Sequence, residues 1–133
     1  MSISATGPND LRAFYSDDGS NDIVIGAPGG GYETMEKTLA EDGGEWPFRL
    51  NLVLSTLPDE SYGWAAGTSM AAPQVTGIAA LVREVAPDAN ARQVEQAVKN
   101  DADRVTWQSD DDLGAGRLNA ADALDELPRG RRR

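Results

Sequence analysis

The stretch GWAAGTSMAAPQVTGIAALV, residues 63–82, decides how this chain is read. From Ser69 to Val85, small and apolar residues cover every side of a helical wheel, interrupted only by Gln74, Thr76, Arg83 and Glu84. That pattern predicts a helix buried all round. Pro73 is expected in its first turn, where a missing amide hydrogen costs little, and Gly77 offers room for another backbone to approach. Ser69 then stands at a helix N-terminus, where unpaired backbone amides and the positive end of the helix dipole converge. Acyl transfer needs such a place: a nucleophilic oxygen, an adjacent amide donor for the tetrahedral intermediate, and no side-chain bulk at Gly67. The residues alone leave a second reading open, in which Thr68 and Ser69 merely cap a core helix. An activated serine also needs a base, and the chain contains no histidine.

Outward from that helix, Asp22-Ile23-Val24-Ile25 is a β-branched run closed by Gly26-Ala27-Pro28-Gly29. It reads as a buried strand delivered into a tight turn. Leu50-Asn51-Leu52-Val53-Leu54 reads as a second short interior strand, stopping at Ser55-Thr56-Leu57-Pro58. Between them, residues 30–46 are glycine-rich and acidic, a surface excursion with one helical stretch over 34–40. After the long helix, Pro87-Asp88-Ala89-Asn90 ends one helix and caps the next. Ala91, Val94, Ala97 and Val98 give that next helix one apolar face, so it lies on the surface. Gly114-Ala115-Gly116-Arg117-Leu118-Asn119 is a turn into a last short helix over 120–127.

At 133 residues the chain is sized for one domain, taken as residues 1–128, followed by the basic tail Arg129-Gly130-Arg131-Arg132-Arg133. Its 22 acids outweigh 12 bases, for a net charge of −10. A polyanion is repelled by such a surface, which excludes nucleic acid as a partner class. An Asp-rich, Lys-poor surface suits a salt-rich interior, where its hydrated carboxylates are screened; ordinary acidic solubility is the alternative. With no cysteine, disulfides and thiolate metal sites are excluded. No apolar run has the length of a membrane span, and the first residues lack the pattern of a signal peptide. Asp17-Asp18-Gly19-Ser20-Asn21-Asp22 misses the spacing of an EF-hand loop and reads as a solvated acidic turn, and Asp110-Asp111-Asp112 reads as a surface run. Trp46, Trp64 and Trp107 read as packing or rim residues, with Trp64 near enough to Ser69 in sequence to border a cleft.

Taken together, Ser55-Thr56-Leu57-Pro58, Tyr62-Gly63, Gly67-Thr68-Ser69-Met70-Ala71-Ala72-Pro73, Gly77 and Ala79-Ala80-Leu81-Val82 resemble the nucleophile region of the subtilisin-like serine proteases, the subtilases. Ala27-Pro28-Gly29 resembles the family's APG turn, and Gly114 to Ala120 its closing G-x-G-x-x-N/D-A segment. Phe14-Tyr15-Ser16 followed by Gly19 is similar to its F-S-x-x-G loop with one extra residue. The resemblance implies an α/β fold: the C-terminal portion of a three-layer domain, with a partial parallel sheet packed by helices. It implies Ser69 as nucleophile and backbone oxyanion donor, Thr68 as support for the oxyanion hole, and Gly67, Met70 and Trp64 as substrate-binding. Gln74 departs from the histidine that usually follows the motif's proline, a histidine that is not the catalytic base.

In subtilases the order along the chain is aspartate, histidine, serine, so this chain reads as a fragment of a serine endopeptidase whose other two triad residues lie upstream. In subtilisin itself, loss of the histidine costs about 10⁶ in turnover, and the fragment is expected to be inactive alone. The alternative is a non-catalytic relic or binding module that pairs with another subtilase chain. The implied partner is a peptide or protein substrate, with no nucleic acid and no membrane. No cofactor is needed for the chemistry; the family often binds structural calcium, but no ligand set transfers residue by residue. Full-length members are often secreted.

Overall fold

The computed structural model describes residues 1–19, 23–40, 51–100, 102–106 and 110–125. Along the chain lie β1 (Ser2–Thr6), β2 (Ile23–Pro28), α1 (Met35–Ala40), β3 (Val53–Leu57), β4 (Ser61–Ala65), α2 (Thr68–Val85), α3 (Ala91–Asn100), α4 (Asp110–Leu113) and α5 (Ala120–Asp125). Strands β1 and β2 pair in parallel, and β3 and β4 form a separate antiparallel hairpin. Helix α2 packs on β1, β2, α3 and α5, while α4 covers β2. This is the α/β arrangement expected, a partial parallel sheet packed by helices.

Strand β1 was not foreseen, because Ser2-Ile3-Ser4-Ala5-Thr6 lacks the β-branched density that marks β2. Tertiary pairing makes it a strand. At Ala5 the carbonyl accepts the Ala13 amide at 2.9 Å, and the Ala5 amide donates to the Ser16 hydroxyl at 2.9 Å. Ser4, Ala5 and Thr6 are buried. The glycine turn extends the sheet on the other side: Gly26 donates to the Gly116 carbonyl at 2.9 Å, and Leu118 donates to the Gly26 carbonyl at 2.8 Å.

Helix α2 departs from the expected all-round burial. Ala71, Val75, Ile78 and Val82 form the one buried stripe, while Pro73, Thr76, Gly77, Ala80 and Leu81 are exposed. Its apolar surface exceeds what the described elements cover. Among the described residues Gly77 consequently meets no other backbone: a Cβ there would have nothing within 4 Å. Pro73 lies inside the helix rather than in its first turn, five residues beyond Thr68, so it withholds the amide hydrogen that would serve the Ser69 carbonyl.

The expected interior strand over 50–54 is also corrected. Leu50 lies outside the described residues, and β3 begins at Val53 and runs along an exposed hairpin, with Leu54, Leu57 and Tyr62 at least half exposed. Apolar composition alone had suggested burial, but the antiparallel partner β4 satisfies the backbone without a covering layer. The excursion after Pro28 starts less superficially than expected, since Gly30, Gly31 and Thr38 are buried. Gly31 donates to the Asn51 carbonyl at 2.6 Å, and Asn51 Nδ2 donates to the Thr38 carbonyl at 3.0 Å. Helix α1 follows the expected stretch, with the Thr34 hydroxyl accepting the Lys37 amide. Residues 41–46 and 129–133, Trp107 and part of the Asp17–Asp22 turn lie outside the described residues.

Helix α3 is amphipathic as read, burying Val94, Ala97 and Val98. Its start is a reciprocal cap: Asn90 Oδ1 accepts the Gln93 amide at 3.0 Å and Gln93 Oε1 accepts the Asn90 amide at 2.9 Å. Asn119 caps α5 from one side, its Oδ1 accepting the Ala121 and Asp122 amides. The described helices include none long and apolar enough to cross a membrane.

Arg117 clasps three segments, donating to Asp10 and to Asp103 at 2.6 Å each, while Asn119 Nδ2 donates to Asp103 at 3.0 Å. The Arg117 and Asn119 hydrogen bonds hold the Asp103 carboxyl below its ordinary value of 3.8. A depressed folded value stabilises the fold above the unfolded value and is lost as pH falls through the folded one. Acidification below about pH 4 is therefore expected to lower the melting temperature, and Asp103→Asn to flatten that fall. Parallel acid limbs for the two proteins would show that the clasp carries no linkage. The effect is modest because the Asp103 side chain is 39% exposed.

Candidate active site

The chain enters α2 through Gly67, whose carbonyl accepts the Met70 amide at 2.9 Å and the Ala71 amide at 3.3 Å. Gly67 is the N-cap residue, and no side chain caps the helix. The capping-only reading of Thr68 and Ser69 therefore loses its basis. Ahead of the Met70 amide, the helix start leaves the Thr68 and Ser69 amides without intrahelical acceptors. Ser69 is exposed, and Gly67, Thr68 and Met70 are half-buried around it. A Cβ placed on Gly67 would lie 3.5 Å from Met70 Sδ and 3.7 Å from the Ser69 amide nitrogen. It would fit sterically, but in the space in front of that amide.

Gly67, Thr68, Ser69 and Met70 are thus brought together by one helix start. Trp64 is positioned separately, half-buried on β4 and paired across the hairpin with Leu54. Among the described hydrogen bonds, none joins a carboxylate to Ser69.

Two residues not singled out from the sequence as site residues support this start. Tyr15 donates its hydroxyl to the Gly29 carbonyl at 2.8 Å and to the Gly30 carbonyl. The same Gly29 carbonyl accepts the Gly67 amide at 2.9 Å. Burial pushes the Tyr15 phenol up to about 12, a nearby Gly67 backbone hydrogen bond opposing that rise. It remains a donor far above neutrality. Gln74 Nε2 donates to the Pro28 carbonyl at 2.6 Å and to the Met70 carbonyl at 3.1 Å. The Ala27-Pro28-Gly29 turn is the common anchor. The sequence carried a faint signal for Gln74, in its place after Pro73, and none for the reach of the Tyr15 hydroxyl.

An exposed serine beside the Thr68 and Ser69 amides, which have no acceptor among the described hydrogen bonds, at the positive end of an 18-residue helix is an arrangement able to stabilise an oxyanion. The Subtilase family model matches residues 1–121, and the chain belongs to this family of serine proteases. It is 34% identical over 121 residues to alkaline elastase YaB of Bacillus sp. strain YaB, a match covering 90% of this chain and 25% of that protein. Among solved structures, a protease of Pseudoalteromonas arctica PAMC 21717 aligns with a TM-score of 0.68 and 33% identity, over 92% of this chain and 34% of the other. The epidermin leader peptide processing serine protease of Staphylococcus aureus aligns with a TM-score of 0.79 at 22% identity, over 92% of this chain and 29% of that one, a likeness of fold. The chain thus spans about a quarter to a third of the length of these relatives.

Proposed function

We propose that this chain is the nucleophile-bearing C-terminal part of a subtilisin-like serine endopeptidase, cleaving a peptide or protein substrate once completed by an upstream segment. Ser69 Oγ attacks the scissile carbonyl, and the Ser69 amide donates to the resulting oxyanion with Thr68 supporting it. Gly67 leaves the approach open, Met70 lies beside the leaving group, and Trp64 borders the bound peptide. The aspartate, the histidine base and a second oxyanion donor come from residues outside this sequence. The single observation that carries the reading is the exposed Ser69 at an N-cap that no side chain closes.

The test is complementation. Residues 1–133 mixed with a polypeptide carrying the family's aspartate and histidine segments are expected to hydrolyse a chromogenic peptide, and Ser69→Ala in this chain to abolish it. Activity surviving Ser69→Ala would defeat the assignment. The alternative, a non-catalytic relic that pairs with another subtilase chain, draws on the exposed apolar residues Leu81, Leu54 and Tyr62; it predicts pairing without hydrolysis in the same mixture.

The carboxylate excess further supports a protein suited to high salt. Raising salt from low concentration to about 1 M, where screening reaches to contact distance, is expected to raise the melting temperature. An unchanged or lower value would remove that reading.

A further inference from the structure

We infer that Gln74 and Tyr15 are positioning residues for Ser69, acting together by holding the carbonyls of the Pro28–Gly30 turn against the start of α2. The inference rests on Ser69 being the reacting hydroxyl.

The geometry is a short chain of donors and acceptors. From the helix side, Gln74 Nε2 reaches 46 residues back along the sequence to the Pro28 carbonyl while also bonding Met70, one turn behind it. From the loop side, the Tyr15 hydroxyl takes the next two carbonyls, Gly29 and Gly30. The Gly29 carbonyl, fixed in this way, receives the Gly67 amide. Gly67 in turn accepts the first helical hydrogen bonds from Met70 and Ala71. Ser69 lies between two points so anchored, Gly67 before it and Met70 after it.

Such anchoring is needed here for a local reason. Pro73 provides no amide hydrogen to the Ser69 carbonyl, so the helix lacks one of the bonds that would hold this residue from within. No side chain caps the helix either. The side-chain amide of Gln74 supplies, from one residue further on, a tie to the neighbouring turn. An amide does so at every pH, whereas a carboxylate at the same place would face two carbonyl oxygens and repel them.

That contrast defines the experiment, read by hydrogen exchange on the 133-residue chain without any turnover. Gln74→Glu is expected to lower the protection of the Gly67, Met70 and Ala71 amides about tenfold at neutral pH, the order of one lost hydrogen bond. Protection should return near pH 4, where the protonated carboxyl again donates to Pro28. Tyr15→Phe should produce a similar loss that acid does not restore. Amides of Val82 and Val98, buried in α2 and α3, report whether the rest of the fold persists. Unchanged protection in Tyr15→Phe, or a loss in Gln74→Glu that acid fails to reverse while Val82 and Val98 stay protected, would overturn the inference. If Gln74→Glu unfolds the whole chain, Tyr15→Phe alone decides: a selective loss upholds the inference and no loss ends it. Failure of the complementation assay would refute the protease reading and leave these exchange results standing, so the two failures are distinguishable.

Discussion

Alone, the 133-residue chain is expected to cleave a chromogenic peptide no faster than its Ser69→Ala variant. A serine hydroxyl is a weak nucleophile until a neighbouring base removes its proton in the transition state. With no histidine in the sequence and no carboxylate bonded to Ser69 among the described residues, no described group is placed to act as that base. The residual contribution is the dipolar environment of the helix start, which in triad-deficient subtilisin leaves about 10³–10⁴ over water. The deficit established for subtilisin on losing its histidine is about 10⁶ in turnover, a value taken from that enzyme. Against background hydrolysis, the remainder falls below detection in a steady-state assay. Brisk cleavage by the isolated chain, lost in Ser69→Ala, would show that a base exists within these residues and would overturn the proposed division of the triad.

The second large effect is on the fold. Gly116 adopts φ 135°, and a Cβ there would stand 2.4 Å from the Asp103 carbonyl oxygen, closer than nonbonded atoms can approach. Neither partner can retreat cheaply. Asp103 and Arg117 exchange backbone hydrogen bonds at 2.8 and 2.9 Å, and the Gly116 carbonyl is the acceptor for Gly26 on β2. Gly116→Ala therefore combines backbone strain with overpacking, together about 3–5 kcal/mol. That is a large fraction of the ~5–15 kcal/mol that holds a typical domain together. Urea unfolding should show the midpoint falling steeply, or no folded baseline at all. A loss under about 1 kcal/mol would mean that the turn rearranges freely.

How far the sequence disclosed this molecule depended on the range of the interactions involved. Helix α3 was legible because its determinants are local: Asn90 and Gln93 cap each other, and Val94, Ala97 and Val98 fall on one face. The place of the α2 start was legible in the consecutive residues Gly67-Thr68-Ser69, but the ties from Tyr15 and Gln74 that hold it were not. The extent of burial was not. An apolar wheel records what α2 could cover, whereas exposure at Ala80 and Leu81 depends on which other elements arrive. Strand β1 escaped notice because its pairing to β2 and its contacts with Ala13 and Ser16 are made by residues distant in sequence. Tyr15 and Gln74 escaped for a related reason, since each acts on backbone carbonyls, which leave no trace in residue identity.

The ionisable groups that the fold perturbs have a consequence for enzymology. Asp103 and Glu33 are displaced toward acid, Tyr15 and Arg117 toward base, and histidine and cysteine do not occur. The polypeptide therefore brings no residue type whose ordinary side-chain pKa lies between about pH 5 and pH 8, and the four perturbed groups move away from that interval. A bell-shaped rate profile recorded for a reconstituted complex in that interval would belong to the complementing piece. The chain would serve as a spectroscopically quiet background against which the imidazole of another molecule could be titrated.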